Sequence, residues 1–215
     1  MLKKTLKNVD YGKKNYGMSG KQLGHLKNLK RKYLIKGGLI NMNQKQLDDY
    51  FATKWVSNLD KYEYSGWNLI DKVNDSEWIL DVGCGPNPFK GKIKNLIGID
   101  PAFDESDYKV SLEEFKTNQK FDVAFCLGSI NFGSEDKIIS QISSLVNLLN
   151  PTSRIYWRCN PGVKDHPSEE CENIDFFAWN FELHKNFSDY FGFECIDLKW
   201  DNCNRIYAEW VRLIF

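Results

Sequence analysis

The chain has 215 residues, 42% hydrophobic and 14% aromatic, with 29 basic and 29 acidic side chains. That aromatic content excludes a disordered polymer, the length suits one domain with an appendage, and no apolar run approaches the ~20 residues of a membrane span. The zero net charge hides a split: in residues 1–42 ten lysines and Arg31 face Asp10 alone, so that arm carries +10 and the rest −10.

Residues 1–18 read as irregular, with little apolar content. Ser19 suits the cap of a helix over 19–36, stopped by Gly37-Gly38. Leu23, Leu26, Leu29 and Tyr33 or Leu34 then share one face among lysines. A basic amphipathic helix suits weak contact with nucleic acid; the same pattern equally describes a plain surface helix or tail, which is the more economical reading. Met42 is an alternative start, so the organisation expected is an extension over 1–42 and a main domain over 43–215. No apolar signal-peptide core follows the basic N-terminus. The six cysteines (84, 126, 159, 171, 195 and 203) form no Cys-x-x-Cys pair. They fit reduced thiols in the cytoplasm, and the three scattered histidines offer no zinc site.

Asn41 or Asn43 is placed to cap a helix to about residue 57, with Leu47, Tyr50, Phe51, Trp55 and Val56 at helical spacing. A short helix over 67–73 precedes Trp78-Ile79-Leu80-Asp81-Val82-Gly83-Cys84-Gly85-Pro86. This apolar run is too short for a buried helix and reads as a parallel strand covered on both faces. Gly83 and Gly85 let the backbone turn sharply and let a ligand lie against it. A second run, Leu96-Ile97-Gly98-Ile99, ends in Asp100, where a βαβ nucleotide site binds ribose hydroxyls. The gap between these runs leaves room only for an abbreviated crossover. A weak strand is expected at 108–110, with Glu113 and Glu114 starting a helix. Phe121-Asp122-Val123-Ala124-Phe125-Cys126 forms the next strand. Ser134 caps a helix to Leu149, and a strand over 154–159 ends at Asn160-Pro161-Gly162. Asn180 caps a helix to Tyr190. Runs over 193–200 and 205–215, joined by Asp201-Asn202-Cys203-Asn204, read as an antiparallel hairpin.

The position after Gly83-x-Gly85-x-x is Pro88, so the third glycine that packs a helix beneath a pyrophosphate is missing. S-adenosylmethionine (SAM) has an adenosine but no phosphate. In Leu80-Asp81-Val82-Gly83-Cys84-Gly85, Gly98-Ile99-Asp100 and Phe121-Asp122-Val123-Ala124 the chain resembles the class I SAM-dependent methyltransferases, from about Gly66 onward. It is most similar to small methyltransferase-domain proteins of tailed bacteriophages. The resemblance implies an α/β fold: a doubly wound, seven-stranded, mostly parallel sheet ending in the antiparallel hairpin. It also implies SAM as cofactor, with Asp81, Gly83, Cys84, Gly85, Pro86, Asp100, Pro101, Ser111 and Leu127 around it. Ser111 or Glu113 is the nearest candidate for the adenine, and Lys54 and Trp55 are placed to close the pocket. Ser129 and Asn131 follow the strand after which family members bind acceptors. His166, oriented by Asp165, offers a general base if the acceptor must lose a proton.

No Pro-Cys nucleophile and no Asp-Pro-Pro-Tyr-like run follows Cys126, which disfavours DNA cytosine C5 and amino methylation. The expected function is methyl transfer to an unidentified acceptor, in the host cytoplasm if phage-encoded. Two alternatives stay open: nucleic-acid methylation, RNA before DNA, guided by the arm, and a SAM-binding module without catalysis.

Overall fold

In the computed structural model, residues 44–54, 56, 58–162 and 174–214 are described, all within one unit, Leu39–Phe215. The expectations on the basic arm, on Trp55 and on Asp165 and His166 lie outside the described residues.

Helix α1 is Gln44–Thr53, ending before the expected residue 57. Two 3-10 pieces follow, Leu59–Lys61 and Trp67–Lys72. Then come β1 (Ile79–Val82), β2 (Leu96–Ile99), β3 (Phe121–Leu127), α2 (Glu135–Leu148), β4 (Leu149–Cys159), α3 (Phe181–Tyr190), β5 (Phe193–Asp201) and β6 (Arg205–Arg212). The strand order is β2-β1-β3-β4-β6-β5. The first four strands are parallel, and β6 runs antiparallel between β4 and β5.

The short apolar runs become strands because both faces of the sheet are covered. Leu80, Val82, Ala124, Ile155 and Trp157 pack towards α2 and α3. On the other face Ile79, Val123, Phe125, Tyr156 and Tyr207 meet Leu59, Leu69, Phe89 and Ile93. Helix α2 starts where Ser134 accepts a bond from the Lys137 N–H, with Glu135 and Asp136 in the first turn. Asn180 caps α3 through the Leu183 N–H.

Two expectations are corrected. The sheet has six strands among the described residues, not seven: at 108–110 only Tyr108 forms a single parallel bridge to Ile99. The segment before it is Asp104-Glu105-Ser106-Asp107, and Tyr108 is half exposed with its ring against Phe115, so little apolar surface draws the segment into a longer ladder. Residues 112–114 form a single turn that does not extend into a helix, although the Glu114 carboxylate accepts the Ser111 N–H and hydroxyl as a capping box would. The polar run Lys116-Thr117-Asn118-Gln119-Lys120 gives a helix nothing to bury. Between β1 and β2 there are turns only, as the short gap requires.

Since Cys159 pairs with Ile206, the turn between β5 and β6 stands at the rim formed by the carboxyl ends of β1 to β4.

Candidate active site

A cavity of about 380 Å³ opens on that rim. Its floor is the turn after β1. Gly83 and Gly85 both have positive φ, +65° and +57°. Gly83 is required twice over, since a Cβ there would stand 2.4 Å from the Ser129 Cβ. The N–H groups of Gly83 and Cys84 both bond to the Ile99 carbonyl, at 2.8 and 3.1 Å. Asn87, also at positive φ, lies against Gly98 so closely that a Cβ on Gly98 would meet its side-chain oxygen at 2.7 Å. Asp107 ties this region together. Its carboxylate accepts the Gly98 N–H at 2.8 Å and the Asn87 amide at 3.1 Å, and it pairs with Lys90 at 2.6 Å.

Asp100 lies at the tip of β2, buried against the same floor. Its Oδ2 accepts the Gly85 N–H at 2.9 Å, and its Oδ1 accepts the N–H groups of Ala102 and Phe103 at 2.8 and 3.3 Å. Burial pushes its pKa up, against the downward pull of those three bonds. A carboxylate has about four lone-pair sites, so acceptor capacity remains on the cavity side. Asp81 sits beneath the floor, 3% exposed, with no hydrogen bond from any described residue. Burial, with the Asp100 charge nearby, raises its pKa to about 8. Burial likewise drives the Cys84 thiol up, so Cys84 is inert as a nucleophile.

Of the residues expected around the cofactor, Gly83, Gly85, Asp100, Pro101, Ser111 and Leu127 line the cavity, as does Glu113. Asp81, Cys84 and Pro86 do not: the first two are buried behind the wall and Pro86 points to solvent. Ser129 and Asn131 line it too, but both have structural work. Ser129 packs on Gly83, and its hydroxyl is buried without a partner among the described residues. Asn131 is 3% exposed, and its Oδ1 accepts the Asn160 N–H, bracing the tips of β3 and β4 against each other. Lys54 is exposed and outside the cavity, because α1 stops at Thr53. The wall it was expected to form comes instead from Leu47, Asp48, Tyr50 and Phe51 of α1, with Phe51 edge-on to Phe132 at 5.4 Å.

The cavity is electrically polarised. Asp48, Asp100 and Glu113 stand at the β2 side, with Lys137 close to Asp48 through Gln44; Lys61, Arg158 and Arg205 stand at the side of β4 and the β5–β6 turn. The basic side was not foreseen. One signal for it exists in the sequence: Arg158 interrupts Ile155-Tyr156-Trp157 and Cys159, in a central strand where a charge needs a reason.

No family model matches the chain, and no curated protein matches it. Solved structures match its fold. The N-methyltransferase NodS from Bradyrhizobium japonicum WM9, in complex with S-adenosyl-L-homocysteine (SAH), superposes with a TM-score of 0.55 at 13% identity, over 79% of this chain and 98% of that one. Magnesium protoporphyrin IX methyltransferase from Synechocystis PCC 6803, with bound SAH, gives 0.54 at 15% identity, over 88% and 95%. CalS10, a SAM-bound amino pentose methyltransferase from Micromonospora echinaspora, gives 0.52 at 13%, over 83% and 100%. These similarities establish the fold: a Rossmann-like methyltransferase sheet with its antiparallel hairpin.

Proposed function

We propose that the protein is a SAM-dependent methyltransferase whose acceptor enters the β4 side of the cavity. The observation that carries this is the lock between the Gly85 N–H and Asp100 Oδ2 at the cavity floor, within a sheet of methyltransferase topology. The residues present fit SAM better than a dinucleotide. A pyrophosphate would face Asp48, Asp100 and Glu113. It would also find no helix N-terminus, because turns follow Gly85. A cationic, phosphate-free ligand suits that charge.

SAM supplies a methyl group on a sulfonium sulfur, open to in-line displacement. The chain's own contribution is alignment. Asp100 accepts the ribose hydroxyls, and Gly83 and Gly85 allow close approach of the backbone. Pro101, Phe103, Val110 and Leu112 offer an apolar slot for the adenine beside Ser111. Holding the acceptor in line accounts for most of the acceleration such a site needs. If the acceptor must lose a proton, His166 is the candidate base. The reading places the enzyme in the cytoplasm, that of the host if phage-encoded.

Calorimetry with SAM, SAH and NAD tests the reading. SAM and SAH bind and NAD does not; a NAD response without one from SAM overturns it. Asp100→Ala weakens SAH by about 10- to 100-fold, from the loss of ~1.5–3 kcal/mol in charge-assisted bonds. It also lowers the melting temperature of the free protein, because three backbone N–H groups lose their acceptor.

A further inference from the structure

Arg158 is 8% exposed, near the carboxyl end of β4, and its side chain reaches the cavity. A guanidinium withdrawn from water needs acceptors for its five N–H groups. Here it has none among the described residues. Its Nε is buried without a hydrogen-bond partner. Its counter-ion, Asp201, stands 3.7 Å from Nε, beyond hydrogen-bond reach. Asp201 is already committed elsewhere. Its Oδ1 accepts the N–H groups of Glu63, Tyr64 and Asn202 at 3.0, 3.1 and 2.9 Å, and its Oδ2 accepts the Ser65 hydroxyl. The guanidinium is nevertheless fixed in place, stacked over the Tyr62 ring at 3.6 Å from its centroid.

A second guanidinium reinforces the charge. Arg158 pairs with Tyr207 across β4 and β6, so Arg205, two residues along, projects from the same face of the sheet. Arg205 lines the cavity as well, and its charge acts with burial to hold the Arg158 pKa below the ordinary range. Lys61 completes the basic rim. Two arginines and a lysine thus gather at this end of the cavity, and the carboxylate beside Arg158 already accepts four hydrogen bonds. The opposite end of the cavity, at Asp100, lies three strand spacings away in the sheet order.

We propose that Arg158, supported by Arg205 and Lys61, binds an anionic group of the methyl acceptor: a carboxylate or a phosphate. This rests on the methyltransferase reading for the word acceptor, though the anion site stands on its own geometry. A planar fork held on an aromatic ring presents two parallel N–H groups, which match two oxygens of either anion. The acceptor would be anchored by its charged end, with its nucleophilic atom turned towards the middle of the cavity.

The test uses the full chain, with and without saturating SAH, and two probes: inorganic phosphate and benzoate, each against sodium chloride at matched ionic strength. Calorimetry and thermal shift give the affinities. One probe or both bind saturably to the SAH-loaded protein, and the stronger of them identifies the anion class. Arg158→Gln weakens that binding about 10-fold or more, as the loss of a charge-assisted pair requires. It leaves SAH affinity within about threefold, a change smaller than ~1 kcal/mol. Should Arg158→Gln not fold, Arg158→Lys and Arg205→Gln serve, each expected to weaken the probe while retaining SAH. Probes that bind no better than chloride overturn the proposal, as does an Arg158 variant that binds them as well as the native chain. Phosphate or benzoate competing with SAH, together with a large SAH loss in Arg158→Gln, also overturns it: the guanidinium would then hold the cofactor's own carboxylate. Anion binding without any SAH binding would sink the methyltransferase reading and leave the anion site standing.

Discussion

Replacing Asp81 by Asn removes a titration that the fold makes unfavourable. In the native chain, burial beside Asp100 raises the Asp81 pKa to about 8. In the unfolded chain an Asp titrates near ~3.9. The folded state therefore holds a proton that the unfolded chain has released. That contribution to stability is full below about pH 4 and is lost as pH rises through 8. From pH 7 to pH 9 the unfolded carboxylate gains about two pH units of ionisation free energy, and the folded one only about one. The difference is about 1.4 kcal/mol of stability lost, or roughly 3–5 °C in melting temperature for a chain of this size. Asp81→Asn has no such proton, and groups distant from Asp81 titrate alike in both proteins. Thermal melts of ligand-free native and variant protein at pH 7, 8 and 9 should therefore diverge by that amount. Equal losses in the two proteins would refute the reasoning. A cation bound above the floor favours the ionised carboxylate, so the ratio of SAM to SAH affinity should also rise from pH 7 to pH 9 in the native chain and stay flat in Asp81→Asn.

Three further outcomes follow from the same geometry. His184 is buried among Trp157, Trp179 and Trp210, and burial alone pushes its pKa down to about 3. Stability it contributes above about pH 6.5 is lost as pH falls, about 2 kcal/mol by pH 5, and His184→Phe should flatten that acid slope in urea melts. Gly83→Ala combines a left-handed backbone, costing about 1–2 kcal/mol, with the clash against Ser129, so it should abolish SAH binding. Adding Ser129→Gly should recover part of the stability; a single variant as stable as the native chain would contradict the packing argument. For the basic arm we propose at most weak, salt-sensitive contact with polyanions. Deleting residues 1–41 should remove a gel shift with RNA or DNA and leave SAH binding intact, whereas tight sequence-selective RNA binding would promote the nucleic-acid methyltransferase reading.

The strands were legible because parallel strands buried on both faces leave nearly continuous apolar runs, as in Phe121 to Cys126, where Asp122 alone interrupts. The hairpin was legible because Cys203 and Asn204, both at positive φ, sit in a polar turn between two apolar runs. Helix α2 announced itself through Ser134 and the acids after it. The segment at 108–110 was misread because Tyr108 and Val110 mimic alternation, while Tyr108 is half exposed and forms only a single bridge to Ile99. The cavity floor was readable from local spacing, since Gly83, Gly85 and Asp100 belong to one strand–turn–strand unit. Its walls were not. Tyr62, Arg158 and Asp201 come together only once β4, β6 and the segment before β1 have packed, and a single sequence carries no record of that meeting. The same holds for Asp48 and Phe51, whose place depends on how α1 lies over the β3 tip. Asn131 shows the converse: its position after β3 was right, and its side chain is occupied by Asn160.

The Asp107 clip has a consequence for how a ligand is met. The Gly85 and Gly98 amides each donate to a carboxylate, and Asp107 also holds the Asn87 side chain that lies against Gly98. The floor is therefore preorganised: the entropy of ordering it is lost at folding rather than at binding. In native-state hydrogen exchange these two amides should be protected before any ligand is added, opening only with the larger units of the sheet. Added SAH would then change exchange mainly in the walls above them, and its association rate would report access to the cavity rather than the closing of a loop beneath the ribose.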